Sequence, residues 1–150
     1  MLSAWAMPPL FTIGYEGKTA NEFLGELEEA GVELLIDVRA IAASRRPGFS
    51  KNLLAASVRE RGVDYVHFRA LGTPAAGREA ARKGHIAEMR RIYAGQLETP
   101  EAQLAFEQAL AAASERRSAL LCYEADAAGC HRRMLAERMA ARQPFEVVDL

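Results

Sequence analysis

Short apolar runs alternate with helical patterns along this 150-residue chain, and that alternation constrains the fold more than any other feature. Strands that alternate with helices predict an α/β domain with a mostly parallel sheet. The runs with strand character are residues 10–13, 34–38, 63–66, 119–123 and 145–148. We therefore expect a single three-layer, Rossmann-like domain over residues 1–150, with about five strands flanked by helices.

The intervening segments show helix signals of unequal strength. Three helical patterns follow a capping residue: Thr19 before 20–30, Ser50 before 51–61, and Thr99 before 100–114. On the last of these we expect Leu104, Phe106 and Leu110 to be buried, with the alanines of 109–113 as simple helix filler. Another helix is predicted to follow Gly129 and to run to about Arg142. Residues 71–94 contain several glycines and a proline, so we predict an excursion over the sheet that is helical only over 86–93.

The charge balance and composition of the chain limit the kinds of partner that it can bind. The 19 basic and 20 acidic side chains leave a net charge of −1, so no global charge draws the protein to nucleic acid or to an anionic membrane. Any such partner must bind a local patch. The chain has only two cysteines, no leader peptide pattern and no apolar run long enough to cross a membrane. We expect a reduced, cytoplasmic protein without a membrane partner, and its oligomeric state stays open.

Polar residues follow four of the predicted strands at the edge where ligands bind to open parallel sheets. They are Tyr15-Glu16, Asp37-Val38-Arg39, His67-Phe68-Arg69 and Tyr123-Glu124. Strands also end in polar residues simply because they reach the surface. Asp37 is more informative, since it ends an apolar run and needs a partner if it is buried. Arg39 lies on the same face of an extended chain and is a candidate partner, although Asp37 also suits a loop cap.

The segment after Asp37 is basic. Its cations are Arg39, Arg45, Arg46, Lys51 and Arg59, and the next acid is Glu60. With Gly48 and Phe49 at its centre, such a loop can wrap an anion and stack an aromatic ring on a base or sugar. The alternative is a solvated loop that offsets the acidic first helix.

A third signal joins Cys122-Tyr123-Glu124 to Gly129-Cys130-His131-Arg132. Cys130 at a helix start is placed to be a reactive thiolate, whereas Cys122 on a strand suits the core. A cysteine phosphatase is excluded, because it needs arginine six positions after the nucleophile and this chain has Ala128 and Ala136 there. The paired ligand spacings of zinc sites are missing, so we predict no thiol–imidazole metal site. A hard divalent ion held by Glu16, Asp37 and Glu124 stays open.

These motifs occur in a recognisable order. They are Thr12-Ile13-Gly14-Tyr15, Asp37-Val38-Arg39, Ser44-Arg45, Gly48-Phe49-Ser50-Lys51, Leu71-Gly72, Leu121-Cys122-Tyr123-Glu124 and Cys130-His131-Arg132. Over nearly the whole chain, this pattern resembles the domain of unknown function 488 family. The resemblance implies a small bacterial or archaeal cytoplasmic α/β protein whose activity has no settled assignment. The motif residues that it carries over are Asp37, Arg39, Ser44, Lys51, Glu124, Cys130, His131 and Arg132.

We therefore hypothesise an anion-binding, hydrolytic site for a nucleotide or nucleic-acid phosphate at the carboxyl edge of the sheet. The candidate catalytic residues are Asp37, Glu124, Cys130 and His131; the candidate anion-binding residues are Tyr15, Arg39, Ser44, Lys51 and Arg132. No organic cofactor is expected. The alternatives are a non-catalytic module that reads nucleic acid through the loop around Phe49, and a protein-interaction module. A single site requires Asp37, Arg39, Glu124, His131 and Arg132 to converge on one pocket.

Overall fold

Five parallel strands form the centre of the protein in a computed structural model that describes residues 7–124 and 129–150. The strands are β1 (Pro9–Gly14), β2 (Leu34–Asp37), β3 (Asp64–His67), β4 (Ser118–Cys122) and β5 (Glu146–Asp149). Their order in the sheet is β3-β2-β4-β1-β5, and each neighbouring pair is parallel. The predicted three-layer α/β fold is confirmed.

Helices cover both faces of the sheet. They are α1 (Ala20–Glu29), α2 (Lys51–Glu60), α3 (Ala75–Arg82), α4 (Ile86–Leu97), α5 (Pro100–Glu115) and α6 (His131–Arg142), with a short 3-10 turn at Arg69–Leu71. The alternation of side chains along each strand divides the core in two. Phe11 and Ile13 of β1 pack with Phe23 and Leu27 of α1 on one face, whereas Leu10 packs on the other face, in the core formed with α4, α5 and α6. No helix of the described residues is long and apolar enough to cross a membrane.

Two of the three predicted caps form as expected. The Thr19 hydroxyl accepts from the backbone N–H of Glu22, and the Glu22 carboxylate accepts in return from Thr19 N–H. Thr99 likewise accepts from Ala102 N–H. Ser50 makes no such bond to α2, because its hydroxyl is engaged with the backbone of Ser44, where it accepts from the N–H at 2.9 Å and donates to the carbonyl at 3.1 Å.

The prediction for α5 was wrong at Leu104, which is 63% exposed. Phe106 is partly buried and Leu110 is buried, as expected. The inward face of this helix is instead a stripe of small residues, Ala102, Ala105, Ala109 and Ala113, all buried. Small side chains let the helix backbone approach its neighbours, the 3-10 turn and α4, closely. The alanines are therefore core residues rather than filler, and Leu104 points to solvent.

The predicted excursion contains a helix, α3, that the glycine pattern concealed. Gly77 lies inside it, and a Cβ added there would be 2.3 Å from Thr73 Cγ2 and 3.3 Å from Ile92 Cγ2. The residue is therefore glycine because α3 packs closely against its neighbours, not because the helix ends. The same segment places α3 and α4 beside the carboxyl edge of the sheet, next to the candidate site.

Strand order brings the predicted site residues together. Strands β2 and β4 are adjacent, with Asp37 opposite Leu121, and Gly14 of β1 lies opposite Cys122 on the other side of β4. A Cβ at Gly14 would be 1.7 Å from the carbonyl oxygen of Glu124 and 2.9 Å from Arg132 Nη1. Glycine at this position thus lets the segment after β4 cross the end of β1.

Candidate functional site

A buried ion pair lies at the end of β2. Asp37 is fully buried and Arg39 is 6% exposed. Asp37 Oδ1 accepts from Arg39 Nε at 2.9 Å and from its backbone N–H at 3.1 Å, and Oδ2 accepts from Arg39 Nη2 at 2.8 Å and from the Tyr65 hydroxyl. Arg39 is therefore the partner that a buried Asp37 required. Burial, and then the bond to Asp37, raise the pKa of Tyr65, which keeps its hydroxyl protonated and able to donate.

Arg39 also connects this pair to the basic loop. Its Nη1 donates to the Phe49 carbonyl at 2.7 Å and to the Tyr15 hydroxyl at 3.4 Å. The Tyr15 hydroxyl in turn donates to Ser44 Oγ at 3.4 Å. Every nitrogen of the guanidinium is thus held by a protein acceptor, so Arg39 fixes the path of the loop.

Phe49 does not have the role predicted for it. The ring is 1% exposed, stacks on Tyr15 at a centroid distance of 4.5 Å, and meets Phe23 edge to face. It closes the core between the basic loop and α1, and its apolar area is removed from water there. A nucleic-acid base has no access to it.

Arg132, at the start of α6, is fully buried. Its Nη1 donates to the carbonyl oxygen of Glu124 and lies 3.2 Å from Cys122 Sγ. The guanidinium therefore ties the end of β4 to the beginning of α6. This position lies beneath the site, away from solvent.

His131 is buried between β2 and α4. Its Nε2 is 2.8 Å from the Val38 carbonyl, an acceptor, so Nε2 carries the proton and Nδ1 carries the lone pair. Burial lowers the pKa of His131 to about 4, and the ring is neutral at neutral pH. The ring also meets Tyr93 edge to face at 4.9 Å.

Cys122 and Cys130 are joined by a disulfide, and both are buried. This corrects the prediction of a reduced protein in which Cys130 is a reactive thiolate. The start of α6 instead places Cys130 against the end of β4, because α6 packs back onto the sheet.

Three adjoining depressions form a continuous surface along this edge, which we call the edge groove. The inner pocket, of about 120 Å³, is lined by Tyr15, Arg39, Arg78, Cys122, Tyr123, Glu124, Cys130 and His131 among others. The middle depression shares Arg78 with it and adds Arg69, and the outer depression shares Arg69 and adds Lys51. Ala40 and Ile41 line all three.

The edge groove is cationic. Lys51, Arg69 and Arg78 have no ion pair among the residues described, and Arg78 Nη1 donates to the Thr73 carbonyl at 2.8 Å. Glu124 is the single carboxylate among the described lining residues. Burial raises the pKa of Glu124, and the charge of Glu16 adds to this rise, while a bond to its own backbone and the charge of Arg132 oppose it.

The predicted site residues differ in how deeply they are buried at this edge of the sheet. Tyr15, Arg39, Glu124, Cys130 and His131 line the inner pocket, and Lys51 lines the outer depression. Asp37 and Arg132 lie beneath the pocket and hold residues that line it, and Ser44 supports the basic loop. Asp37 is not available as a ligand for the hard divalent ion that the sequence left open, because Arg39 and Tyr65 occupy both of its carboxylate oxygens.

Lining residues that the predicted set did not contain include Arg69, Arg78 and Tyr123. Arg69 and Tyr123 lie just after strands, and that position was a signal for them in the sequence. Arg78 lies on α3, the helix that the glycine pattern concealed, and no local signal in the sequence marks it.

Comparison with known families identifies the chain. The family model described as domain of unknown function DUF488 matches residues 19–139. The match covers well over half of the 150 residues, so the chain belongs to this family, as its motifs predicted. Comparisons with curated proteins and with solved structures find no match.

Proposed function

We propose that this member of the DUF488 family binds the phosphate of a nucleotide or of a nucleic-acid segment in the edge groove, and that the inner pocket hydrolyses a bond next to that phosphate. The observation that carries the proposal is the charge of the groove. Three cations without ion pairs among the described residues, Lys51, Arg69 and Arg78, line a continuous surface whose described lining residues include one carboxylate. Such a surface attracts phosphate and offers donors to its oxygens.

Glu124 is the residue suited to move a proton. It lines the inner pocket, and burial raises its pKa towards the range in which a carboxylate is an effective general base. In this proposal it takes a proton from the attacking water while Arg78 holds the phosphate.

The other predicted catalytic residues take positioning roles in this proposal. Asp37 accepts only from protein donors and orients Arg39. His131 donates to the Val38 carbonyl and so fixes the backbone that carries Arg39 to the pocket. Cys130 is bonded to Cys122 and contributes to the wall of the pocket.

A non-catalytic nucleic-acid-binding module is the second candidate, and one feature favours it. Lys51 and Arg69 continue the cationic surface beyond the pocket that contains Glu124, and Tyr123 at the rim is 44% exposed. An exposed aromatic ring beside cations suits base stacking on a single strand.

Binding is tested with the triple variant Lys51→Ala, Arg69→Ala, Arg78→Ala. We expect its affinity for single-stranded DNA or for a nucleoside triphosphate to fall by about tenfold or more, since hydrogen bonds to charged groups contribute about 1.5–3 kcal/mol. For the single strand, the slope of log K against log salt should shrink by about 0.7 for each phosphate that the variant no longer neutralises. Arg91→Ala is the matched control, because Arg91 is exposed on α4 and does not line the groove. Equal affinities for the triple variant and wild type would refute phosphate binding in the groove.

Catalysis is tested with Glu124→Gln, which keeps the shape of the side chain and removes its charge. Wild type and variant are assayed on phosphate esters and nucleic acids, with and without divalent metal. The hydrolytic proposal predicts that the variant binds at least as tightly as wild type and loses turnover by about 10²–10⁴-fold. Absence of turnover by wild type across the panel, together with binding that depends on the groove cations, would leave the non-catalytic module.

A further inference from the structure

Two sulfur atoms and one imidazole nitrogen meet at one end of the inner pocket. They are Cys122 Sγ, Cys130 Sγ and His131 Nδ1, and all lie within 4.8 Å of one another. The three residues line the inner pocket, which adjoins the rest of the edge groove. Spacing along the chain gave no sign of this cluster, because one cysteine ends β4 and the other precedes α6.

The surroundings of His131 orient its ring as a ligand. Its Nε2–H donates to the Val38 carbonyl at 2.8 Å, which leaves the Nδ1 lone pair facing Cys130 Sγ at 3.7 Å. Histidines that ligate metals bond their other nitrogen to a carbonyl or a carboxylate in this way. The arrangement holds the ring in one tautomer and one orientation.

Arg132 provides a second supporting contact. Its Nη1 lies 3.2 Å from Cys122 Sγ in the buried end of the site. A sulfur in a disulfide carries no charge and gains little from a guanidinium, whereas a thiolate is stabilised by one. The contact therefore suits the reduced, ionised form of Cys122.

The distance between Cys130 Sγ and His131 Nδ1 agrees with one shared ion, and the two sulfurs must separate to share it. Zinc bonds of about 2.3 Å to sulfur and about 2.0–2.1 Å to nitrogen in tetrahedral geometry place the two donor atoms about 3.6 Å apart. The distance from Cys130 Sγ to His131 Nδ1 is 3.7 Å. The Cα atoms of Cys122 and Cys130 are 7.5 Å apart, wider than the roughly 4.4–6.8 Å usual for disulfides, so the backbone leaves room for the sulfurs to separate.

We propose that the reduced form of this protein binds one thiophilic divalent ion of the zinc class through Cys122, Cys130 and His131, with a fourth position facing the edge groove. A phosphine or dithiol reductant supplies the two electrons that cleave the disulfide, and two protons complete the thiols. The ion then displaces one proton from each thiol. Two sulfurs and one imidazole select zinc over magnesium or calcium. Three protein ligands and one open position are typical of catalytic zinc, and Glu124 Oε2 lies 3.5 Å from Cys122 Sγ, beside that position.

This site does not depend on the proposed phosphate function, because its test measures metal. The full-length protein is reduced with a phosphine, freed of metal with a chelator, and titrated with Co²⁺. We expect one equivalent to bind with the near-ultraviolet charge-transfer absorption of cobalt–thiolate bonds. Zn²⁺ should displace the cobalt, Mg²⁺ should not, and the disulfide form should bind none. A titration without thiolate absorption would overturn the proposal.

Variants identify the ligands. Cys130→Ser and His131→Gln should each weaken cobalt binding by more than about 100-fold, since even the outer partners of ligands contribute about 10–100-fold. His85→Gln is the control, because His85 is exposed and outside the pocket, and it should bind as wild type does. Far-ultraviolet circular dichroism checks that each variant folds.

A measurement on wild type keeps the proposal testable if the variants do not fold. Bound Zn²⁺ should slow alkylation of both thiols in the reduced protein, and a chelator should restore the faster rate. If alkylation rates are the same with and without Zn²⁺, the two cysteines are a redox pair only and the metal site is refuted.

Discussion

At the carboxyl edge of the sheet, basic side chains occur in two settings that differ in how deeply the side chains are buried. A buried polar layer consists of Asp37, Arg39, Tyr65, His131 and Arg132, and two of its members, Arg39 and His131, line the inner pocket. On the surface above it lie the groove cations Lys51, Arg69 and Arg78. In the buried layer the guanidinium groups donate to fixed acceptors of the protein, whereas the groove cations have no ion pair among the described residues.

This difference shows that residue type alone does not tell whether a basic side chain positions other residues of the protein or binds a ligand. A buried charge is stable only with partners that replace water, so its geometry is fixed before any ligand arrives. An exposed cation keeps its hydration and can exchange it for phosphate oxygens. The sequence motifs place Arg39, Lys51 and Arg132 in one anion-binding set, and depth divides that set.

The largest expected effect comes from breaking the buried ion pair. Asp37→Ala leaves the Arg39 guanidinium buried without its carboxylate, so the free energy of unfolding should fall by about 3–5 kcal/mol in denaturant titrations. The matched control is Asp64→Ala. Asp64 pairs with Arg116 at 2.7 Å in solvent, and removing this carboxylate should cost less than about 1 kcal/mol. Similar destabilisation of both variants would show that burial does not distinguish the two pairs.

The next largest expected effect is a change in the free energy of unfolding with pH, which arises from His131 in the buried layer. The pKa of His131 is lowered to about 4 in the folded protein from its ordinary value of 6.5, so below pH 6.5 the unfolded chain binds a proton that the folded protein does not. In the metal-free disulfide form, stability is full above pH 6.5 and should fall by about 3 kcal/mol as the pH drops to 4. His131→Gln should flatten this part of the curve, and exposed His85→Gln should keep it. Equal slopes for both variants would contradict the assignment to His131.

The smallest expected effect on stability belongs to the groove. Arg69→Ala and Lys51→Ala remove exposed side chains without ion pairs among the described residues, so each should change the free energy of unfolding by at most about 0.5 kcal/mol. Denaturant titrations beside those of Asp37→Ala give the comparison directly. Destabilisation of either variant by more than about 1 kcal/mol would mean that the groove cations also hold the fold together.

Several features of the fold follow from local patterns in the sequence. Apolar runs marked all five strands, and Thr19 and Thr99 marked two helix starts. These signals are local, since a strand needs a buried face and a helix needs a partner for its first N–H groups.

The errors share a different cause. The predictions for Leu104 and Phe49 rest on residue type, yet the alanine stripe of α5 turns Leu104 outward and the rings of Tyr15 and Phe23 enclose Phe49. The glycine pattern predicts an interruption at Gly77, although close packing requires that glycine within α3. Each outcome depends on how near two elements approach, which no pattern within one element contains.

The sequence by itself determined the α/β class, the family, and the edge of the sheet at which polar residues collect, because these follow from periodicity and from motifs contiguous in the chain. Only the tertiary structure decided how deeply each of these side chains is buried. The order β3-β2-β4-β1-β5 sets β2 beside β4, and α6 packs back over β4 and β1. This places Arg39 and Arg132 in the interior, joins Cys122 to Cys130 beside His131, and leaves Arg69 exposed and Arg78 half-buried in the edge groove. Depth is a property of contacts between residues far apart in the chain, and it decides whether a charge is held by protein or is available to a ligand.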